Sequence, residues 1–184
     1  MTKLTSCVAG VFALAAAAAW ASPPKWGYEG QWGTKATGNG QFDSPAGVAV
    51  TSNGSVYVVD AHNCRVQYFT ATGLFRGKWG SFGTGNGRFD LPWGVAKAPN
   101  GHIFVVDCEN YRVQYFTPAG SFLGKWGSCG RGKGQFISPC YVDFSPSGSR
   151  VYVTDTFNEN VQYFRWSGPA VAPTSLGRVK ALFR

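Results

Sequence analysis

At 184 residues, the chain is long enough to bury one sizeable core and too short for two comfortable domains. Seventeen Lys and Arg against nine Asp and Glu give a net charge of +8, which suits anionic partners such as acidic glycans, nucleic acid or phospholipid headgroups. The basic residues are scattered without a Lys/Arg run, which excludes a dedicated polybasic segment.

The first element is a leader. Lys3 precedes an apolar run from Val8 to Ala19, shorter than the roughly 20 residues that span a bilayer. Ala19-Trp20-Ala21 fits the small-x-small cleavage rule. The pattern predicts a signal peptide over 1–21, cleavage before Ser22, and a secreted, periplasmic or extracellular location. Cys7 lies ahead of the apolar run, not after it, which argues against a lipoprotein anchor. Without Lys3, sixteen basic residues face nine acidic ones, a charge near +7. Export makes nucleic acid an unlikely partner, and no second apolar span predicts a membrane anchor.

From Trp32 onward the chain repeats. Trp32, Trp79 and Trp126 are 47 residues apart, and a fixed period of this length outranks any local motif. The expected parts are an N-terminal segment with an orphan outer strand (22–30), three repeats (31–77, 78–124, 125–168) and a Pro/Ala spacer with a basic tail (169–184). Inside the first repeat, "GVAV" is a short apolar strand. The Asn-Gly of "TSNGS" is a hairpin signal. "VYVVD" and "RVQYF" are rich in β-branched and aromatic residues, and "LFRGKWG" supplies a fourth strand. No helical period with caps is sustained. Four antiparallel strands per repeat describe an all-β propeller with three four-stranded blades.

The pattern P-x-G-V-A-V…N-G-x-V-Y-V-V-D-x-x-N-x-R-V-Q-Y-F…G resembles the NHL repeat, almost in full at Pro45–Gly73 and Pro92–Gly120. The third copy departs from it: Tyr141 replaces the strand glycine and Asn160 replaces the arginine. The resemblance implies four-stranded blades in a ring, commonly of six. It implies no single activity, because such proteins include protein-binding, RNA-binding and extracellular sensor domains and a few lyases.

Three blades do not comfortably close a ring, which takes roughly four to eight. The segment Tyr28–Gly33, "YEGQWG", matches the fourth strands "FRGKWG" and "FLGKWG". After the third repeat, where a fourth strand is due, the sequence reads "PAVAP", and proline removes ladder donors. The favoured expectation is that the chain is half of a six-bladed ring, a homodimer in which each Tyr28–Gly33 strand completes the other copy's third blade; the rivals are a complementary half encoded elsewhere, a degraded gene product and an open crescent.

Three constellations carry possible chemistry. The first is Asp-x-x-Asn-x-Arg at Asp60/Asn63/Arg65 and Asp107/Asn110/Arg112, degenerate at Asp155/Asn158/Asn160. Repetition in each blade points to a structural job; a functional version makes Arg65 and Arg112 a basic rim for an anionic ligand. The second is the glycine-rich loop at Gly83–Asp90 with its counterparts. A phosphate loop needs Gly-Lys-Ser/Thr ahead of a helix, so these glycines are read as turn formers, with Phe42, Phe89 and Phe136 pinning the loops. Both constellations open on one face. There the copies differ at Lys35, His62, Arg88, Glu109, Tyr111, Arg131 and Lys133, which with Arg65 and Arg112 are the candidate ligand contacts. The third is the set of recurrent aromatics, read as packing between blades.

Cys64, Cys108, Cys129 and Cys140 suit disulfides in an exported chain; Cys64–Cys108 and Cys129–Cys140 is the pairing favoured. Two histidines and no C-x-x-C make zinc a weak reading, and no cofactor is implied. The functional expectation is an exported, non-catalytic module binding a protein, glycan or cell-envelope ligand through its loop face. The alternatives are a lyase-like propeller enzyme, for which catalytic groupings are missing, and an RNA-binding domain.

Overall fold

The computed structural model describes residues 26–165. The leader read over 1–21, Trp166 and the spacer and tail of 169–184 lie outside the described residues. The chain divides into two compact units, Met1–Gly30 and Gln31–Arg184. Of the first unit, residues 26–30 are described and hold no helix or strand.

The second unit contains β1 (Pro45–Val50), β2 (Val56–Asp60), β3 (Arg65–Phe69), β4 (Phe75–Trp79), β5 (Pro92–Lys97), β6 (Ile103–Asp107), β7 (Arg112–Phe116), β8 (Phe122–Trp126), β9 (Pro139–Phe144), β10 (Arg150–Asp155) and β11 (Asn160–Arg165), with a 3-10 turn at Thr156–Asn158. They form antiparallel sheets in the orders β1-β2-β3-β4, β5-β6-β7-β8 and β9-β10-β11. The protein is all-β, and its sheets are propeller blades. Among the described residues the third blade has three strands, whereas the first two have four. Residues 26–34 form no strand either.

Turn chemistry sets the register. Gly54 adopts φ +80° and its N–H donates to the Thr51 carbonyl at 2.9 Å, closing the β1–β2 hairpin. The β2–β3 ladder then sets Asp60 opposite Arg65 and Val58 opposite Gln67. The second blade repeats this with Asp107 opposite Arg112 and Val105 opposite Gln114. The third sets Asp155 opposite Asn160 and Val153 opposite Gln162.

Blades stack face to face over two apolar clusters. One holds Tyr57, Val59 and Val66 of the first blade with Val95, Val105 and Phe116 of the second. The other holds Phe104, Val106 and Val113 of the second with Val142, Val151 and Val153 of the third. Equivalent positions therefore report which faces are covered. Val95 and Val142 are 8% and 6% exposed, whereas Val48, on the open face of the first blade, is 64% exposed.

The first strands of neighbouring blades approach so closely that glycine is required. A Cβ on Gly47 would lie 2.5 Å from the Trp93 carbonyl oxygen, and one on Gly94 2.5 Å from that of Cys140. Tyr141 holds this position in the third blade and is exposed.

Candidate functional site

The loop face is built on an internal polar clamp. Asp60 is sealed from solvent at the end of β2. Its carboxylate accepts the Asp43 N–H at 2.7 Å, Asn63 Nδ2 at 3.0 Å, Arg65 Nε at 2.7 Å and Gln67 Nε2 at 3.1 Å. Asn63 also donates to the Ala36 carbonyl at 3.1 Å. Arg65 donates to the carbonyls of Thr37 at 2.7 Å, Gly38 at 2.8 Å and Gln41 at 2.9 Å. The Gly40 N–H donates to Gln67 Oε1 at 2.9 Å. A loop rich in unpaired backbone groups is thereby fastened to the blade by four side chains.

The second blade repeats the clamp on residues 83–90. Asp107 accepts from Asp90 N–H at 2.8 Å and from Arg112 Nε at 2.7 Å. Arg112 spans the carbonyls of Thr84, Gly85 and Arg88. Burial pushes the Asp107 carboxyl above its ordinary range, against the opposing pull of the Asp90 N–H, Arg112 and Asn110.

The third clamp is incomplete. Asp155 accepts from Ser138 N–H at 3.0 Å and Asn158 Nδ2 at 2.6 Å, and Gln162 donates to the Gln135 carbonyl at 2.6 Å. Asn160 reaches only the Asn158 carbonyl, at 3.2 Å. Asn158 Oδ1 is buried without a hydrogen-bond partner.

This geometry corrects the reading of Arg65 and Arg112 as a basic rim. Both are 6% exposed, and their guanidinium groups are committed to loop carbonyls and to Asp60 and Asp107. Lys35, His62, Arg88, Glu109, Arg131 and Lys133 are exposed, and Tyr111 is half-buried against the core between the second and third blades. His62 Nδ1 lies 3.1 Å from Ser44 Oγ and 3.4 Å from Asp43 Oδ1.

Two exposed aromatics on the same loops escaped the sequence reading. Phe82 occupies the position of Lys35 and Cys129, each of the three bridging the loop to Phe89, Phe42 and Phe136 respectively. Phe157 occupies the position of His62 and Glu109. Both side chains are exposed. The signal was present in the sequence, since these positions differ between copies; restricting the search to polar side chains hid them.

The expected disulfides are also corrected: Cys64, Cys108, Cys129 and Cys140 are free thiols. Cys64 is the fourth residue of its turn, with φ +50°, whereas Cys108 is the first residue of the next blade's turn, so the two do not hold equivalent places. Cys108 instead faces Ser138, whose Oγ is 3.7 Å from its sulfur and 3.9 Å from that of Cys140. Burial pushes the Cys108 thiol up to about 11.

A separate concavity of about 670 Å³ lies along the first strands, bordered by Val48, Val50, Lys97, Tyr141 and Asp143. Among the described residues, no group of three or more His, Cys, Asp or Glu side chains is placed to hold a metal ion, and no helix is long and apolar enough to cross a membrane.

The NHL repeat pattern matches residues 42–69 and 89–116, which run in the first two blades from the loop phenylalanine to the end of the third strand. Among solved structures, the chain is similar to a gluconolactonase from Xanthomonas campestris important in glucose secondary metabolic pathways. The identity is 19% and the TM-score 0.47, over 62% of this chain and 36% of that one. It is also similar to Kuenenia stuttgartiensis hydrazine synthase, at 14% identity and a TM-score of 0.48, over 73% of this chain and 40% of that one. The chain thus spans less than half the length of either. No curated protein matches it in sequence.

Proposed function

Because this chain carries NHL repeats and folds into propeller blades, we propose that it is a non-catalytic binding module whose loop face takes an anionic protein or glycan of the cell envelope. The observation that supports this reading is a division of labour within each loop. The repeated polar residues turn inward and fix the backbone, while Lys35, Arg88, Arg131 and Lys133 project from the fixed loops into solvent. Two of these cations, Lys35 and Arg88, stand on fully clamped loops and two, Arg131 and Lys133, on the partly clamped third loop, and together they attract an anionic surface by steering and by pairing at the rim. The leader read over 1–21 supports work outside the cytosol.

The test is calorimetric titration of the chain from Ser22 with a heparin oligosaccharide and with poly-glutamate, against neutral dextran. The expected result is salt-dependent binding to an anionic probe that weakens at least about tenfold when Lys35, Arg88, Arg131 and Lys133 are changed to Glu. Binding that ignores the charge reversal, or none to either anionic probe, overturns the reading. Tighter, salt-dependent binding to single-stranded RNA would favour the nucleic-acid alternative.

A further inference from the structure

Among the described residues the third blade ends at β11, and that edge and the segment Tyr28–Trp32 carry matching halves of one contact. In the first blade β3 pairs with β4 through Val66↔Trp79, Gln67↔Lys78 and Tyr68↔Gly77. The second blade repeats this as Val113↔Trp126, Gln114↔Lys125 and Tyr115↔Gly124. The glycine is needed because the tyrosine ring lies on it. A Cβ on Gly77 would meet the Tyr68 ring at 2.6 Å, and one on Gly124 would run into the Tyr115 hydroxyl oxygen. The third blade has the tyrosine, Tyr163 on β11, but it is 67% exposed, and among the described residues β11 has no outer neighbour.

A further copy of the fourth-strand motif stands at Tyr28-Glu29-Gly30-Gln31-Trp32-Gly33. Its tryptophan already sits where a fourth-strand tryptophan sits against the blade that follows. Trp79 packs on Phe116 at 5.6 Å and Trp126 on Phe164 at 5.7 Å, and Trp32 packs on Phe69 at 6.1 Å. A Cβ on Gly120 would lie 2.7 Å from the Trp79 ring, and one on Gly73 would lie 2.7 Å from the Trp32 ring. Trp32 thus marks the place of a fourth strand belonging to a preceding blade.

We propose that the protein forms a two-fold dimer in which Tyr28–Trp32 of each copy adds to β11 of the other. Trp32 pairs with Val161, Gln31 with Gln162 and Gly30 with Tyr163, giving six blades. Each joint sets Val48 and Val50 of one copy toward Val161 and Tyr163 of the other, all four exposed in the single chain. The joint differs from the internal ones at its inner end, where Tyr141 replaces Gly47 and Gly94, and Asp143 replaces Ala49 and Ala96. Backbone approach is blocked there, so the outer strands hold the joint.

Size exclusion with light scattering on the chain from Ser22 tests this. Twice the monomer mass is expected. Tyr163→Glu puts a charge into the joint at a position exposed in the single chain, and should raise the dimer dissociation constant at least about thirtyfold, as loss of a hot-spot contact does. Circular dichroism should show its blades intact. Tyr141→Gly should tighten the dimer. A monomeric wild-type chain, or a dimer indifferent to both substitutions, overturns the proposal. So does a monomer in which deleting residues 167–184 exposes Tyr163 further, since that assigns the edge to the chain's own tail.

Discussion

Arg112 and Asp107 face each other across the β6–β7 ladder, Nε to Oδ2, at 2.7 Å and almost out of reach of water. Arg112→Ala would leave the buried Asp107 carboxylate without its counter-ion, strip the Thr84 carbonyl of its donor and take one donor each from the Gly85 and Arg88 carbonyls, which keep the Arg88 N–H and Gln114 Nε2. The expected cost is about 3–5 kcal/mol in urea unfolding. Arg112→Lys should recover little of it, because a single ammonium cannot serve three divergent carbonyls. A loss below about 1 kcal/mol would mean that water replaces the clamp.

Asn160 is the natural place to repair the protein. Asn160→Arg restores a donor fork beside Asp155, within the register that carries Arg65 and Arg112 in the other blades. A gain of about 1 kcal/mol is expected, a rise of roughly 2–5 °C in melting temperature by calorimetry. An unchanged or lowered transition would show that the third loop has a different path from the first two.

Close approach of the first strands makes a contrast between glycines. Gly94→Ala would set a Cβ 2.5 Å from the Cys140 carbonyl oxygen and 2.9 Å from the Tyr141 Cα, and should destabilise by about 1–3 kcal/mol. Gly85→Ala meets only the Arg88 side chain, at 3.5 Å, and should be close to neutral. Equal effects in denaturant titration would contradict the packing described.

Thiol reactivity should follow burial. At pH 8, iodoacetamide should label exposed Cys129 first and Cys108 last, read by mass spectrometry, since the thiolate is the nucleophile. The Cys108 thiol is raised from 9.0 to about 11, by burial above all. The folded protein therefore holds this proton where the unfolded chain has lost it. The stability linked to it is complete below pH 9 and falls as pH rises toward 11. Cys108→Ser should flatten that part of the curve.

The blades were legible because a 47-residue period and a strand-turn grammar repeat with little change, and the Asp–Arg register follows from turn length alone. The direction of Arg65 was harder. A guanidinium on a loop face can turn outward or inward, and only the nearby carbonyls of Thr37, Gly38 and Gln41 decide it. The cysteines misled because Cys64 and Cys108 share a turn type but hold its fourth and first positions. Phe82 and Phe157 were passed over because an aromatic in a propeller reads as core, yet both stand at positions where the copies disagree.

Fastening the loops from within frees their outer positions from any duty to the fold. His62, Glu109 and Phe157 are three different chemistries on one mount, as are Lys35, Phe82 and Cys129. Such a face can exchange its heads by single substitutions without disturbing the blades beneath, so specificity can drift in small steps while melting behaviour stands still. Libraries randomised at these six positions should stay folded at high frequency, and selection on them can explore new ligands directly.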